Sequence, residues 1–149
     1  MHQRNRILIA DAHLTMMAGV RLLLKDRFEV SVMVADDHSL RDTVESSHFD
    51  LVIADLSIPT SSGENVARLL SRLSPELKVI ILSVHDEPAA VQECLAAGAK
   101  GFVLKRAAVN DLIPAVEAVL RGETYVSPSI QVKEEEASRQ ATKSEKEPQ

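Results

Sequence analysis

The chain has 149 residues, 45% of them hydrophobic, with no Trp and one Tyr, which predicts one domain with an aliphatic core. A net charge of −5 argues against broad, salt-driven binding to nucleic acid, and a single cysteine, Cys94, excludes an internal disulfide and fits a reducing compartment. No run approaches the roughly 20 apolar residues of a membrane span, and the first apolar run is too short for a signal-peptide core, so the expectation is a soluble, cytoplasmic protein.

Residues 7–10 form a short apolar run ended by Asp11, with the length of a buried strand. Met16, Met17, Val20, Leu23 and Leu24 then recur at helical spacing, with Arg21 and Lys25 on another face. Residues 28–34 are rich in Val and predict a second strand. Asp36-Asp37-His38-Ser39 is a polar turn able to cap a helix from about 40 to 47. Residues 51–54 form a third strand ended by Asp55, and a loop with Pro59 and Gly63 follows. Val66, Leu69, Leu70 and Leu73 mark a helix that Ser74-Pro75 ends. Residues 79–82 form a buried strand ending in Ser83. Pro88 suits the start of the next helix, which carries Val91, Cys94 and Leu95 and stops at Gly98. Cys94 reads there as a small packed side chain. Residues 102–104 form a short strand ending in Lys105. The last helix carries Leu112, Ile113, Val116, Val119 and Leu120 and is closed by Gly122. A proline is tolerated only in a first helical turn, so Pro114 predicts an N-cap at Asn110 or Asp111.

Five strands alternating with five helices predict an α/β fold. Such alternation means a doubly wound, five-stranded parallel sheet, right-handed crossovers and helices on both faces. Residues 1–130 make up this domain. Over 131–149 the apolar residues are only Val132, Ala137 and Ala141 among Glu, Lys, Ser and Gln. That composition predicts a charged tail or linker remnant, disordered or extending as a frayed helix.

Four of the five strands end in a polar group: Asp11, Asp55, Ser83 and Lys105. Each alone also reads as a capped turn or a solvated charge. Doubly wound sheets, however, gather the carboxyl ends of their strands beside the ligand site. An aspartate there can form an acyl phosphate. Mg²⁺ takes oxygen ligands and commonly pairs carboxylates with phosphate. A lysine can offset the charge that a phosphoryl group adds.

The ordered motifs are Ile7-Leu8-Ile9-Ala10-Asp11-Ala12-His13, Asp50 through Pro59, Val79 through His85, and Ala96 through Lys105, with Gly122-Glu123-Thr124-Tyr125-Val126-Ser127-Pro128 after the last helix. Over about residues 6–130 the chain resembles the receiver domain of bacterial two-component response regulators. It is most similar to the NarL/FixJ branch, whose members usually carry a C-terminal LuxR-type helix-turn-helix. The resemblance implies a flavodoxin-like (βα)5 fold with strand order 2-1-3-4-5. It implies that Asp55 accepts phosphate from a sensor histidine kinase in a phosphorelay. Asp11, Asp55 and the backbone carbonyl of Ser57 would hold Mg²⁺. Ser83 would hydrogen-bond the phosphoryl group and shift on activation, and Lys105 would pair with a phosphoryl oxygen. Phe102 matches an aromatic switch position, and it also reads as an ordinary apolar strand residue. The resemblance further implies self-association as a homodimer.

Ala12 departs from this pattern, because the family carries a second, metal-contacting acid there. Weaker Mg²⁺ binding is the expectation, and two readings follow: a working receiver with a weakened metal site, or a phosphorylation-independent pseudo-receiver that signals by protein contacts alone. Asp55, Ser83 and Lys105 favour the first. A third reading, a small phosphohydrolase with Asp55 as nucleophile, wants a second acid nearby, and Ala12 removes the nearest one. The chain is therefore expected not to be an enzyme. After Ile130 there is no room for a helix-turn-helix module, so this chain is expected not to contact nucleic acid or a membrane itself. A stand-alone receiver and a fragment of a longer transcription regulator are both consistent with that.

Overall fold

A computed structural model of the chain describes residues 4–131, 136 and 138–140. Strands and helices alternate along it: β1 (Arg6–Ala10), α1 (Leu14–Leu24), β2 (Glu29–Val34), α2 (Asp37–Ser46), β3 (Leu51–Asp55), α3 (Val66–Leu73), β4 (Lys78–Ser83), α4 (Pro88–Ala96) and β5 (Gly101–Leu104). A 3₁₀ turn (Lys105–Ala107) then leads into α5 (Ala108–Leu120) and a short β6 (Tyr125–Val126). All neighbouring strands run parallel, in the order β2-β1-β3-β4-β5-β6. This is the doubly wound parallel architecture that alternation dictates.

The sheet divides the core into two layers by strict side-chain alternation. Leu8, Ala10, Val52, Ala54, Val79, Ile81, Phe102 and Leu104 pack with Leu40 of α2, Val66 and Leu70 of α3, and Val91 and Cys94 of α4. Ile7, Ile9, Leu51, Ile53, Ile80, Leu82 and Val103 pack with Met17, Val20 and Leu24 of α1 and Leu112, Val116 and Val119 of α5. Every residue of β3 is buried, as expected of a central strand covered on both faces. The edge strand β2 instead alternates between exposed and partly buried residues up to Met33, with Val34 buried. The register of β1 on β2 shifts between Ile7 and Leu8.

Three sequence expectations change. The sheet has six strands, because Tyr125–Val126 pairs with β5 and Ser127 donates its backbone N–H to the Phe102 carbonyl. A two-residue strand has no periodicity to read; pairing and the buried Ser127 and Ile130 fix it. Residues 128–131 are helical, so the segment just after β6 is also ordered. Second, α5 begins at Ala108 with Ala107 as its N-cap, not at Asn110 or Asp111, and Pro114 lies inside the helix. Ala108 and Leu112 are both buried against the sheet, and that packing outweighs the roughly 3 kcal/mol that an interior proline costs a helix. Third, α2 starts about a turn earlier than expected, at Asp37. The Asp36 side chain accepts from the Ser39 backbone N–H at 2.8 Å, so the capping turn acts from one residue before the helix. The expectation for the tail falls mostly on residues outside those described. No helix among the described residues is long and apolar enough to cross a membrane.

Candidate phosphoacceptor and cation site

The strand register sets the site. Ala10 of β1 pairs with Ala54 of β3, so the next residues, Asp11 and Asp55, stand side by side. Asp55 pairs with Leu82, and Ser83 follows it; Ser83 pairs with Leu104, and Lys105 follows that. The four polar strand ends expected from the sequence therefore lie along one edge of the sheet. Each marks the point where apolar strand gives way to loop. Alternation also sorts them: Asp11 and Asp55 follow Ile9 and Ile53 in phase, toward the α1 and α5 side, whereas Ser83 follows Ile81 toward α3 and α4.

Three of the four are in direct contact. Lys105 Nζ lies 3.2 Å from Asp55 Oδ1 and 3.3 Å from Asp11 Oδ2. Asp11 and Asp55 are 1% and 2% exposed, so this one ammonium faces two carboxylates taken out of water. At 3.3 Å the pairing with Asp11 is an ion pair without hydrogen-bond geometry, and Asp11 Oδ2 accepts no hydrogen bond. Asp55 Oδ2 accepts from the Ser57 hydroxyl at 2.6 Å, and Oδ1 accepts from the Ser57 backbone N–H at 3.2 Å. Burial pushes the Asp55 carboxyl up, but the Ser57 hydrogen bonds and the Lys105 charge together outweigh it, so the group is held below the usual carboxylate range. Asp55 thus presents an ionised carboxylate largely removed from water at neutral pH.

Ser83 is buried, and its hydroxyl accepts from the His85 backbone N–H at 2.9 Å. It stands at the same edge with that bond directed into its own loop. Phe102 is fully buried among the α3 and α4 side chains, so its ring occupies the interior. Ser57 reaches the site through its N–H and hydroxyl, whereas the sequence expectation concerned its carbonyl. Ala12 is exposed and has no oxygen to offer.

One residue at the site carried no role in the sequence reading. His13 Nδ1 lies 3.0 Å from Asp11 Oδ1 and 3.6 Å from Asp55 Oδ2. Its backbone N–H also donates to Asp11 Oδ1 at 2.8 Å, which folds the loop after β1 back over the carboxylate. The available signal was a histidine two residues beyond a strand-end acid. Asp11, His13 and Asp55 each place one ligand atom within 4.8 Å of the other two.

Residues 7–117 match the response regulator receiver domain family. The transcriptional regulatory protein DegU of Brevibacillus brevis is 32% identical over 127 residues, covering 84% of this chain and 54% of that protein. The transcriptional regulatory protein UhpA of Salmonella typhimurium is 38% identical over 130 residues, covering 85% of this chain and 64% of that protein. The chain thus spans roughly half to two thirds of the length of these relatives. Among solved structures, a LuxR-family two-component response regulator from an Aurantimonas species superposes with a TM-score of 0.81 at 26% identity, over 91% of this chain and 99% of that one. The isolated REC domain of RcsB from Salmonella enterica serovar Typhimurium, in the presence of phosphomimetic BeF3−, superposes with a TM-score of 0.79 at 25% identity, over 87% of this chain and 97% of that one.

Proposed function

Because this chain belongs to the response regulator receiver domain family, we propose that it accepts a phosphoryl group on Asp55 and uses the added charge to switch its protein contacts. The supporting observation is Asp55 itself: a carboxylate 2% exposed, held ionised, with Lys105 at 3.2 Å and Asp11 beside it. In the transfer, an Asp55 oxygen forms the new O–P bond while the donor's bond to phosphorus breaks. The donor leaves with that electron pair: the imidazole of a phosphohistidine on a sensor histidine kinase, or acetate from acetyl phosphate. Lys105 then pairs with a phosphoryl oxygen and offsets the added charge. The Ser57 hydroxyl must give up its bond to Asp55 Oδ2 when that oxygen is esterified, or turn to the phosphoryl group. Ser83 exchanges its bond to the His85 N–H for one to the phosphoryl group, which moves the β4–α4 loop. Phe102, already inside the core, fills the space behind that loop. This is a two-arrangement element biased by a new dianion.

The donor set fits a divalent cation in part. Asp11 keeps a buried oxygen without a hydrogen bond, next to the ionised Asp55. Asp11, Asp55 and the Ser57 carbonyl would hold Mg²⁺, and Ala12 leaves that set one oxygen short. When bound, Mg²⁺ would neutralise phosphoryl charge during transfer. Residues 1–130 act as the receiver unit in this reading, with 131–149 as a tail or linker. Its partners are a sensor histidine kinase and a second copy of the chain. The role is regulatory, with Asp55 modified rather than turning over substrate. The phosphorylation-independent reading rests on Ala12 alone. Incubation with phosphoramidate and Mg²⁺ followed by intact mass separates the two. The wild type should gain one phosphoryl group and Asp55→Ala none; no adduct on the wild type at high Mg²⁺ would sink the phosphoacceptor reading.

A further inference from the structure

The amino ends of the strands, opposite the edge that carries Asp55, enclose a feature that the phosphoacceptor reading does not use. Arg4 ahead of β1, Arg21 and Lys25 at the end of α1, Glu29 at the start of β2 and Asp50 ahead of β3 line a hollow of about 910 Å³ there. That lies within the roughly 300–1,000 Å³ of small-molecule sites. Phe28 and Val30 give it an apolar wall.

The charges around this hollow do not balance. Both acids are already engaged. Glu29 Oε2 lies 3.8 Å from Arg6 Nε, Asp50 Oδ2 accepts from the Arg6 backbone N–H at 2.7 Å, and Asp50 Oδ1 lies 3.5 Å from His48 Nε2. Arg6 is itself held in place: its Nη1 donates to the His48 carbonyl at 2.7 Å, and its guanidinium lies 4.8 Å from the centre of the Phe49 ring. Arg4, Arg21 and Lys25, by contrast, pair with no carboxylate among the described residues. Arg21 and Lys25 stand one helical turn apart, where like charges repel, and α1 contains no acid to relieve them. Basic groups also complement the dipole at a helix C-terminus. That end is already served by Arg4, whose Nη1 donates to the Lys25 carbonyl at 2.8 Å. The chain as a whole carries −5, so three unpaired cations around one hollow run against its overall sign.

We propose that this hollow binds a small soluble anion carrying two or more phosphate groups, held by Arg4, Arg21 and Lys25. Arginine forks match phosphate oxygens two at a time, and a lysine adds a mobile point charge. The site lies at the far end of the sheet from Asp55, so neither reading needs the other. Its test is calorimetry with ATP and with sodium pyrophosphate, at low salt and with metal ions chelated, on the wild type and three variants. The wild type should bind at least one of the two anions more tightly than about 1 mM. Arg21→Gln and Lys25→Gln should each weaken that binding at least about tenfold, the loss of one charged hydrogen bond. Both side chains are exposed and unpaired among the described residues, so these changes leave the fold in place. Arg68→Gln, which removes the same charge from the exposed side of α3, should stay within about twofold. The proposal is overturned if neither anion binds more tightly than about 1 mM, if Arg21→Gln and Lys25→Gln bind as the wild type does, or if Arg68→Gln weakens binding as much as they do. Arg21-dependent binding to phosphatidylglycerol vesicles, without binding of either free anion, would also overturn it, since the phosphate would then belong to a lipid surface.

Discussion

Lys105 Nζ lies 3.2 Å from Asp55 Oδ1 and 3.3 Å from Asp11 Oδ2, so a single ammonium serves two buried carboxylates. Removing one partner of such a group leaves uncompensated charge, which is costlier than never having built the pair. Lys105→Met should lower stability in urea at pH 7 by about 3 kcal/mol. The pH dependence follows from Asp55. Burial raises its pKa, but Ser57 and Lys105 together lower it further, so the folded value lies below the unfolded value of about 3.9. A carboxyl depressed in this way adds stability above about pH 4, and the contribution fades as pH falls through the folded value. The stability of wild type minus that of Asp55→Asn should therefore fall as pH drops from 7 toward 3; a difference that stays flat contradicts the shift. Ala12 is exposed, so Ala12→Asp can enter without repacking. It should restore an oxygen donor and tighten Mg²⁺ about tenfold, read by calorimetry. Asp11, Asp55, Ser83 and Lys105 were legible in the sequence because each is the first polar group after an apolar run. His13 was not, because its place depends on the backbone folding back through its own N–H onto Asp11.

At the scale of elements, Pro114 is the conflict between local rule and tertiary context. The helix α5 runs from Ala108 to Leu120 straight through it, with the proline exposed. Its missing N–H leaves the Asn110 carbonyl without the usual helical donor. Pro114→Ala should raise stability by about 1–2 kcal/mol, the helix gain reduced by the looser unfolded chain; a destabilised variant would contradict this. Gly98 is the reverse case, where the local rule was right. It has φ +114, and a Cβ there would lie 2.7 Å from Ser71 Oγ on α3. Gly98→Ala should cost about 1–3 kcal/mol in chemical denaturation. β3 and α3 were read correctly because a continuous apolar run marks a strand covered on both faces and the spacing of Val66, Leu69, Leu70 and Leu73 marks a helix face. The short β6 was missed, since two residues carry no pattern and the pairing with Gly101 and Phe102 alone defines the strand.

At the scale of the whole molecule, a parallel sheet covered on both faces makes the loops beyond its strand ends the part free to change. Asp11, Asp55, Ser83 and Lys105 all stand at that edge, while Phe102 reaches back from β5 into the α3 and α4 layer. In the proposed switch, a charge added at the edge is read on the α4–β5 side while the sheet stays in place. The chain covers 54% of DegU and 64% of UhpA, both named as transcriptional regulators, so whatever those proteins do beyond this domain lies outside its residues. In the proposed function Asp55 is the phosphoacceptor. Its most direct measurement is reduction with sodium borohydride after incubation with acetyl phosphate and a divalent cation, followed by peptide mass. An aspartyl phosphate is reduced to the alcohol, so residue 55 should appear as homoserine in the peptide that carries it. Homoserine at another aspartate, or an unreduced Asp55 in protein that had gained a phosphoryl group, would contradict the account.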